Sequence, residues 1–133
     1  IQLPDKLVFL YATNLFRVVP INAPHRTDID TSYMGDSVAK WDGETLVVDV
    51  NSLNDDTWLG PDGYFHTEAL HVVERFTRTG DTMRYDVTVE DPNVLSKPWT
   101  MNPRTLRLGN RPLEEGPPCV EKDADHLVTL DHH

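Results

Sequence analysis

Hydrophobic and polar residues alternate along much of the chain, with the period of two that is typical of half-buried β-strands. The clearest segment is 83–90, in which four apolar and four polar side chains alternate: Met83, Tyr85, Val87 and Val89 with Arg84, Asp86, Thr88 and Glu90. No segment shows a convincing helical period. The pattern therefore predicts an all-β protein.

Turn signals divide the alternating segments into hairpins. Asp42-Gly43 and Gly80-Asp81 each separate two such segments, which is a strong hairpin signal. The segments 22–33 and 51–65 read as loops, the second long enough to suggest a functional role. The predicted strands are 6–12 and 16–19, both expected to be buried, then 37–41, 44–50, 68–78 and 83–90, with one or two more in 97–108.

Successive hairpins without a crossover predict an antiparallel meander. We expect it to close into a small lipocalin-like barrel, with a jelly-roll sandwich as the alternative. At 133 residues the length favours one domain. The barrel domain is predicted over residues 1–108. Residues 109–133 form a Pro-rich acidic tail that packs on it or extends from it, and only 126–130 within the tail suggest a late strand or helical turn.

The strand around residue 70 carries polar side chains where apolar ones are expected. Read at period two, its buried face presents six side chains: His66, Glu68, Leu70, Val72, Glu74 and Phe76. A buried carboxylate needs a partner or a raised pKa. We therefore identify His66, Glu68 and Glu74 as candidate acid–base residues. In the alternative interpretation Glu74 pairs with an inward arginine and His66 caps a loop.

Aromatic residues lie within the 51–65 loop and later in the chain. Trp58, Tyr64, Phe65 and Trp99 are candidate ligand-binding residues, because aromatic and carboxylate groups together hold sugars or aromatic metabolites. The alternative is core packing. The first function hypothesis is thus binding of a small organic ligand, with cofactor-free turnover by a lyase, isomerase or hydrolase.

A metal site is the weaker interpretation of the same region. His66, Glu68 and His71 are suitable zinc ligands by type. On a regular strand, however, His71 points away from His66, and only a bulge would bring it round. Because the sequence also lacks a nucleophile elbow, a phosphate-binding loop and a dinucleotide fingerprint, we predict neither a metal nor a cofactor.

The charge balance limits the partners. Twelve basic residues face 22 acidic ones, for a net charge of -10, which argues against nucleic acid. No apolar run is long enough to span a bilayer. The second function hypothesis follows from the acidic surface and the exposed strand edges: a structural or interaction module whose partner is another protein chain.

Cys119 is the single cysteine, so no disulfide can form within this chain. Cys119 is either reduced or paired with something outside these residues. The chain also begins at Ile1 rather than at methionine, so we expect it to be a piece of a longer or processed protein.

Six motif segments follow one another in a fixed order along the chain: 34–37, 41–49, 54–59, 65–75, 87–92 and 97–100. Together they resemble a large family of uncharacterised secreted bacterial proteins, whose pattern reads GDSVGRWEGDTLVVD…FNDKTWL…HSEALHVxERYxR…DP…KPW. The resemblance covers nearly the whole chain.

The resemblance implies a location but no catalytic residues. It implies export, and hence a periplasmic or extracellular protein. It also implies that the chain is the C-terminal part of a longer protein, whose N-terminal region would supply a cysteine partner for Cys119. The departures from the pattern are small: the acidic residues Asp42 and Glu44 are exchanged, and Asn51-Ser52-Leu53 replaces the usual approach to Asn54.

Overall fold

The computed structural model describes residues 1–11, 15–60 and 62–110, and these residues form β-strands but no helix. The all-β prediction is therefore confirmed. The strands are β1 (Lys6–Leu10), β2 (Phe16–Pro20), β3 (Asp36–Asp42), β4 (Thr45–Asn51), β5 (His71–Thr79), β6 (Thr82–Glu90), β7 (Trp99–Thr100) and β8 (Arg104–Arg107).

The strands β3 to β6 form an antiparallel meander. Both β7 and β8 pair with the free edge of β6, one at each end, and complete a six-stranded sheet. Over the described residues this sheet is open, since β3 pairs with neither β7 nor β8. The expected barrel closure is thus not seen. Instead β1 and β2 form a separate antiparallel hairpin, which covers the apolar face that closure would have buried.

Both predicted Gly-containing turns are present. Gly43 and Gly80 have φ angles of 61° and 60°, in the left-handed region that two-residue hairpin loops require. Glycine adopts this region without the Cβ clash that other residues suffer. The turns fix the register of β3 with β4 and of β5 with β6.

The two faces of the sheet differ in chemistry. The inner face, which carries Leu46, Val48 and Val50 of β4, packs against Val19 of the β1–β2 hairpin, and both Val19 and Val48 are fully buried. The opposite, outer face carries Asp49 and further polar side chains. The hairpin itself is only half-buried, so the expectation of two buried strands was wrong for its outward side.

The predicted strand before residue 71 was also wrong. A turn precedes β5, closed by the Leu70 amide donating to the Thr67 carbonyl at 3.0 Å, and β5 begins at His71. The cause is tertiary: the Thr67 amide donates to the Asp91 carboxylate, which draws the chain away from the line of the strand. His66 and Glu68 therefore do not share the inner face with Glu74.

Residues 111–133 lie outside the described part of the chain. The predictions for the acidic tail beyond residue 110, for its 126–130 segment and for Cys119 concern these residues. In the ranges that are described, no helix has the length and apolar character needed to cross a membrane.

Candidate functional site

A concave pocket opens between the 59–65 loop, the turn after β6 and strand β7. Its volume is about 530 Å³, within the range of small-molecule sites. We call it the aromatic pocket. Its lining is mainly apolar: Leu59, Gly63, Tyr64, Phe65, Val94, Leu95 and Trp99.

Three of the four predicted ligand-binding residues line this pocket. The rings of Tyr64 and Trp99 meet edge to face, with centroids 6.4 Å apart and an interplanar angle of 66°. Tyr64 is 58% exposed, Phe65 64% and Trp99 36%. Trp58 is bridged to Phe65 through the backbone but does not line the pocket. Large rings exposed in a concavity mark a surface that can bury them against a ligand.

A buried carboxylate joins the two walls of the pocket. Asp91 is 1% exposed and accepts hydrogen bonds from the amides of Thr67 (2.6 Å) and Asn93 (3.0 Å). One wall of the pocket is formed by Tyr64 and Phe65, and Thr67 lies just after them in the chain. Val94 and Leu95 contribute to the other wall, and Asn93 lies just before them. Burial raises the pKa of Asp91, but the hydrogen bonds from Thr67 and Asn93 outweigh it and lower the pKa below 3.8. Asp91 thus stays ionised and fixes one wall relative to the other.

His66 is buried next to the pocket without facing it. Its Nδ1 lies 3.2 Å from the Thr67 carbonyl oxygen, which can only accept, so Nδ1 carries the proton. Its Nε2 shares a hydrogen bond with the Thr57 hydroxyl at 2.8 Å. Both ring nitrogens are therefore occupied, and His66 holds the loop that forms one wall of the aromatic pocket.

The two predicted carboxylates are apart from His66 and from each other. Glu68 is exposed and accepts a hydrogen bond from the Thr31 hydroxyl at 2.9 Å. Glu74 lies on the inner face, where Arg17 donates to its Oε2 at 2.5 Å and Tyr85 donates to its Oε1 at 2.7 Å. The three candidate acid–base residues do not form one constellation. The Arg17 contact is the ion pair of the alternative interpretation.

The surroundings of Glu74 complete this buried arrangement. The guanidinium of Arg17 lies 5.0 Å from the centroid of the Phe9 ring, and the ring of Tyr85 stacks on Phe76 at 4.7 Å. Burial raises the pKa of the Tyr85 hydroxyl, and the hydrogen bond to Glu74 raises it further. Both carboxylate oxygens of Glu74 therefore accept a hydrogen bond, one from Arg17 and one from Tyr85.

The outer face carries a second cluster that the sequence analysis missed. His25 bridges two carboxylates, with Nδ1 2.8 Å from Asp36 and Nε2 2.8 Å from Asp49. His71 bridges the same Asp49, at 3.0 Å, and Glu90, at 3.5 Å. We call these five residues, together with Arg26 on Asp36, the histidine–carboxylate network.

The network shifts the pKa values of its members in opposite directions. Burial lowers the pKa of His25, but the hydrogen bonds to Asp36 and Asp49 outweigh it and raise the pKa above 6.5. Burial raises the pKa of both aspartates, yet the hydrogen bonds from Arg26 and His25 on Asp36, and from His71 and His25 on Asp49, lower them below 3.8. The network therefore favours a charged His25 imidazole between two charged aspartates.

The network borders a polar groove of about 1020 Å³ across the outer face and the β3 edge. Charged side chains around it include Lys40, Asp42 and Arg75, of which the last two form an ion pair at 2.7 Å. The groove is more polar than the aromatic pocket and is separate from it in lining residues.

The predicted metal ligands are not brought together. His66 forms its hydrogen bond with Thr57, Glu68 with Thr31 and His71 with Asp49. In residues 1–11, 15–60 and 62–110, no three histidine, cysteine, aspartate or glutamate side chains are grouped so that they could hold a metal ion.

One signal could have revealed part of the network. Asp49 pairs with Val73 across β4 and β5, which places His71 two positions along the same face of the sheet. His25 had no such signal, because it comes from an irregular loop.

Comparison with protein-family models, with curated proteins and with solved structures gave no match. The function must therefore be argued from the geometry of these sites.

Proposed function

We propose that this domain binds a small organic ligand with an aromatic or sugar ring in the aromatic pocket, as part of an exported protein. The observation that carries the proposal is the pair of exposed rings, Tyr64 and Trp99, set edge to face in a concave surface of suitable volume.

The lining defines the ligand chemistry. Among the described residues the lining contains no charged side chain, so a ligand would gain affinity mainly from burying its ring against Tyr64, Phe65 and Trp99. An aromatic ring and the apolar face of a sugar offer the same contact to such rings. Strongly charged ligands would lose hydration in this pocket without finding an opposite charge.

We propose binding rather than turnover. His66 has both ring nitrogens occupied, Glu68 is bonded to Thr31, and Glu74 is paired with Arg17 on the inner face. An acid–base catalyst must reach the atom it protonates. The support for turnover is therefore weaker than the support for binding.

The test is a ligand screen with matched tryptophan variants. Aromatic metabolites and mono- and disaccharides would be screened by ligand-observed NMR, and hits measured by intrinsic fluorescence. We expect Trp99→Ala and Tyr64→Ala each to weaken binding about tenfold or more. Trp41→Ala, which removes an exposed tryptophan outside the pocket, is the control and should bind as the wild type. Equal loss in Trp41→Ala, or no hit in either ligand class, would contradict the proposal.

The second candidate function is an interaction module for another exported chain. The outward side of the β1–β2 hairpin supports it, because Leu10 and Phe16, directly opposite each other, are 66% and 64% exposed, and Val18 is 46% exposed. Phe16→Asp would then abolish association with the partner, as measured by crosslinking in extracts of the exported fraction, while leaving ligand binding in the aromatic pocket unchanged. Crosslinks unaffected by Phe16→Asp would remove this candidate.

A further inference from the structure

The segment 22–30 runs over the outer face without regular structure, and we call it the strap. At one end the Asn22 amide donates to the Ala39 carbonyl at 2.7 Å. Beyond the other end, the Ser32 amide donates to the Ser52 carbonyl at 3.0 Å. Within the described hydrogen bonds, those that fasten the middle of the strap to the sheet are made by His25 and Arg26.

These two fastenings differ in how they respond to pH. Arg26 donates to Asp36 from its amide at 3.1 Å and from Nε at 2.7 Å, and a guanidinium stays charged at every physiological pH. His25 instead needs both ring nitrogens to donate, because ionised carboxylates can only accept. An imidazole has two N–H groups only when it is protonated. The His25 fastening is therefore complete only in the imidazolium form.

The charged groups around His25 come from four strands. Asp36 belongs to β3 and Asp49 to β4, and each lies 2.8 Å from a ring nitrogen. His71 of β5 bonds to Asp49, and Glu90 of β6 lies 3.5 Å from His71.

Further charges border the same groove without contacting His25. Asp42 and Arg75 pair with each other, and Lys40 also lies on the groove. Within the network itself, three carboxylates face one guanidinium and two imidazoles, so loss of a proton from His25 leaves an excess of negative charge beside its ring.

We propose that the strap is a pH-dependent cover. Protonated His25 fastens the strap to the outer face, and deprotonation of His25 breaks the contact between the strap and Asp49. Asp36 is buried and Asp49 is half-exposed, so the remaining N–H of a neutral ring stays on the Asp36 side, where an unsatisfied carboxylate oxygen would cost more. The ring nitrogen facing Asp49 then presents a lone pair to a carboxylate, and the contact is lost. Arg26 keeps the strap attached to Asp36, so release is partial.

The direction of the pH dependence follows from the pKa of His25. The hydrogen bonds to Asp36 and Asp49 raise this pKa above its ordinary value of 6.5, although burial alone would lower it. The fastening therefore contributes fully below pH 6.5 and is lost as the pH rises through the raised value. Because the strap contributes Asn22, Ala23 and His25 to the lining of the polar groove, release widens the groove.

Hydrogen exchange measured by mass spectrometry tests the proposal on the intact chain. Exchange of strap peptides would be compared at about pH 5.5 and about pH 8.5, after correction for the intrinsic rate, in a range that brackets the histidine titration. We expect wild-type strap exchange to be roughly tenfold faster at the higher pH, and exchange in β4 and β5 to be unchanged.

The variants test whether the pH dependence of strap exchange comes from His25 or from any ion pair on the outer face. His25→Gln and Asp49→Ala, which each remove one side of the His25–Asp49 contact, should exchange rapidly at both pH values. Arg84→Gln is the matched control, because it breaks an exposed ion pair of the same face that has no histidine. It should keep the wild-type pH dependence.

Several results would overturn the proposal. One is a wild-type strap whose corrected exchange does not change with pH, and another is pH dependence that survives in His25→Gln. If His25→Gln does not fold, nitrogen-15 NMR of the wild-type histidines decides. Two protonated ring nitrogens on His25 near neutral pH support the proposal, and a His25 that is already neutral there refutes it.

Discussion

The inner and outer faces of the sheet each place carboxylates beside cationic groups, but with opposite consequences. On the inner face Glu74 is buried and paired with Arg17, whose side chain is 10% exposed. On the outer face Asp49, at 40% side-chain exposure, is paired with two histidines. Arginine keeps its charge, whereas histidine changes charge near neutral pH. The inner arrangement is therefore a fixed support of the fold, and the outer one is adjustable.

The largest expected effect comes from breaking the inner pair. Glu74→Gln leaves the Arg17 charge buried without its partner, and we expect a loss of about 3 kcal/mol in the free energy of unfolding. Urea denaturation followed by tryptophan fluorescence measures it. Arg17→Met combined with Glu74→Leu should recover most of the loss, since no unpaired charge remains. An unchanged or raised melting temperature in Glu74→Gln would instead favour an acid–base role for Glu74.

Asp91 is a buried carboxylate held by backbone amides rather than by an arginine, so it separates the effect of burial from the effect of ion pairing. Asp91→Asn keeps an acceptor oxygen for one of the two backbone amides but presents an NH2 group to the other, and we expect about 2 kcal/mol of destabilisation. Because the pKa of Asp91 is lowered, its contribution is present above pH 3.8 and is lost as the pH falls through the lower folded value. The variant should therefore lose this acid sensitivity. Asp55→Asn, an exposed aspartate, serves as the control.

The hydroxyl of Tyr85 tests the same inner cluster more gently. Tyr85→Phe removes the hydrogen bond to Glu74 but keeps the stack on Phe76, so about 1.5 kcal/mol should be lost. Thermal denaturation, with the midpoint compared between the two proteins, measures this loss. If Tyr85→Phe costs nothing, the ring rather than the hydroxyl supports the inner cluster.

The smallest effect is expected at an exposed pair of the outer face. Arg75→Gln removes the 2.7 Å ion pair with Asp42. The side chains of Arg75 and Asp42 are 44% and 66% exposed. Solvent screens such pairs, so stability should change by less than about 1 kcal/mol, with the difference shrinking further in high salt. A loss comparable to that of Glu74→Gln would end the distinction between the two faces.

The sequence predicted the hairpins better than the site. Asp42-Gly43 and Gly80-Asp81 identified two turns because glycine at positive φ is a local requirement. Alternation likewise placed Glu74 on the buried face correctly. The same alternation, extended back to His66, was wrong, because the capture of Thr67 by Asp91 is a contact between residues 24 positions apart.

The candidate ligand-binding residues illustrate the same limit. Tyr64 and Phe65 were identified by their place in a loop, and Trp99 by its type. What brings Trp99 to Tyr64 is the pairing of β7 with β6, and what holds the two walls is Asp91, whose role had no sequence signal. Their use as a binding site remains a prediction.

The sequence by itself determined the all-β class, the hairpin turns and the inward position of Glu74, because alternation and glycine turns act over a few residues. Only the tertiary structure decided what Glu74 meets, where β5 begins and that His25 reaches Asp49. These depend on contacts between residues that are 57, 24 and 24 positions apart, which only the packing of the hairpin, the turns and the strap against the sheet brings together.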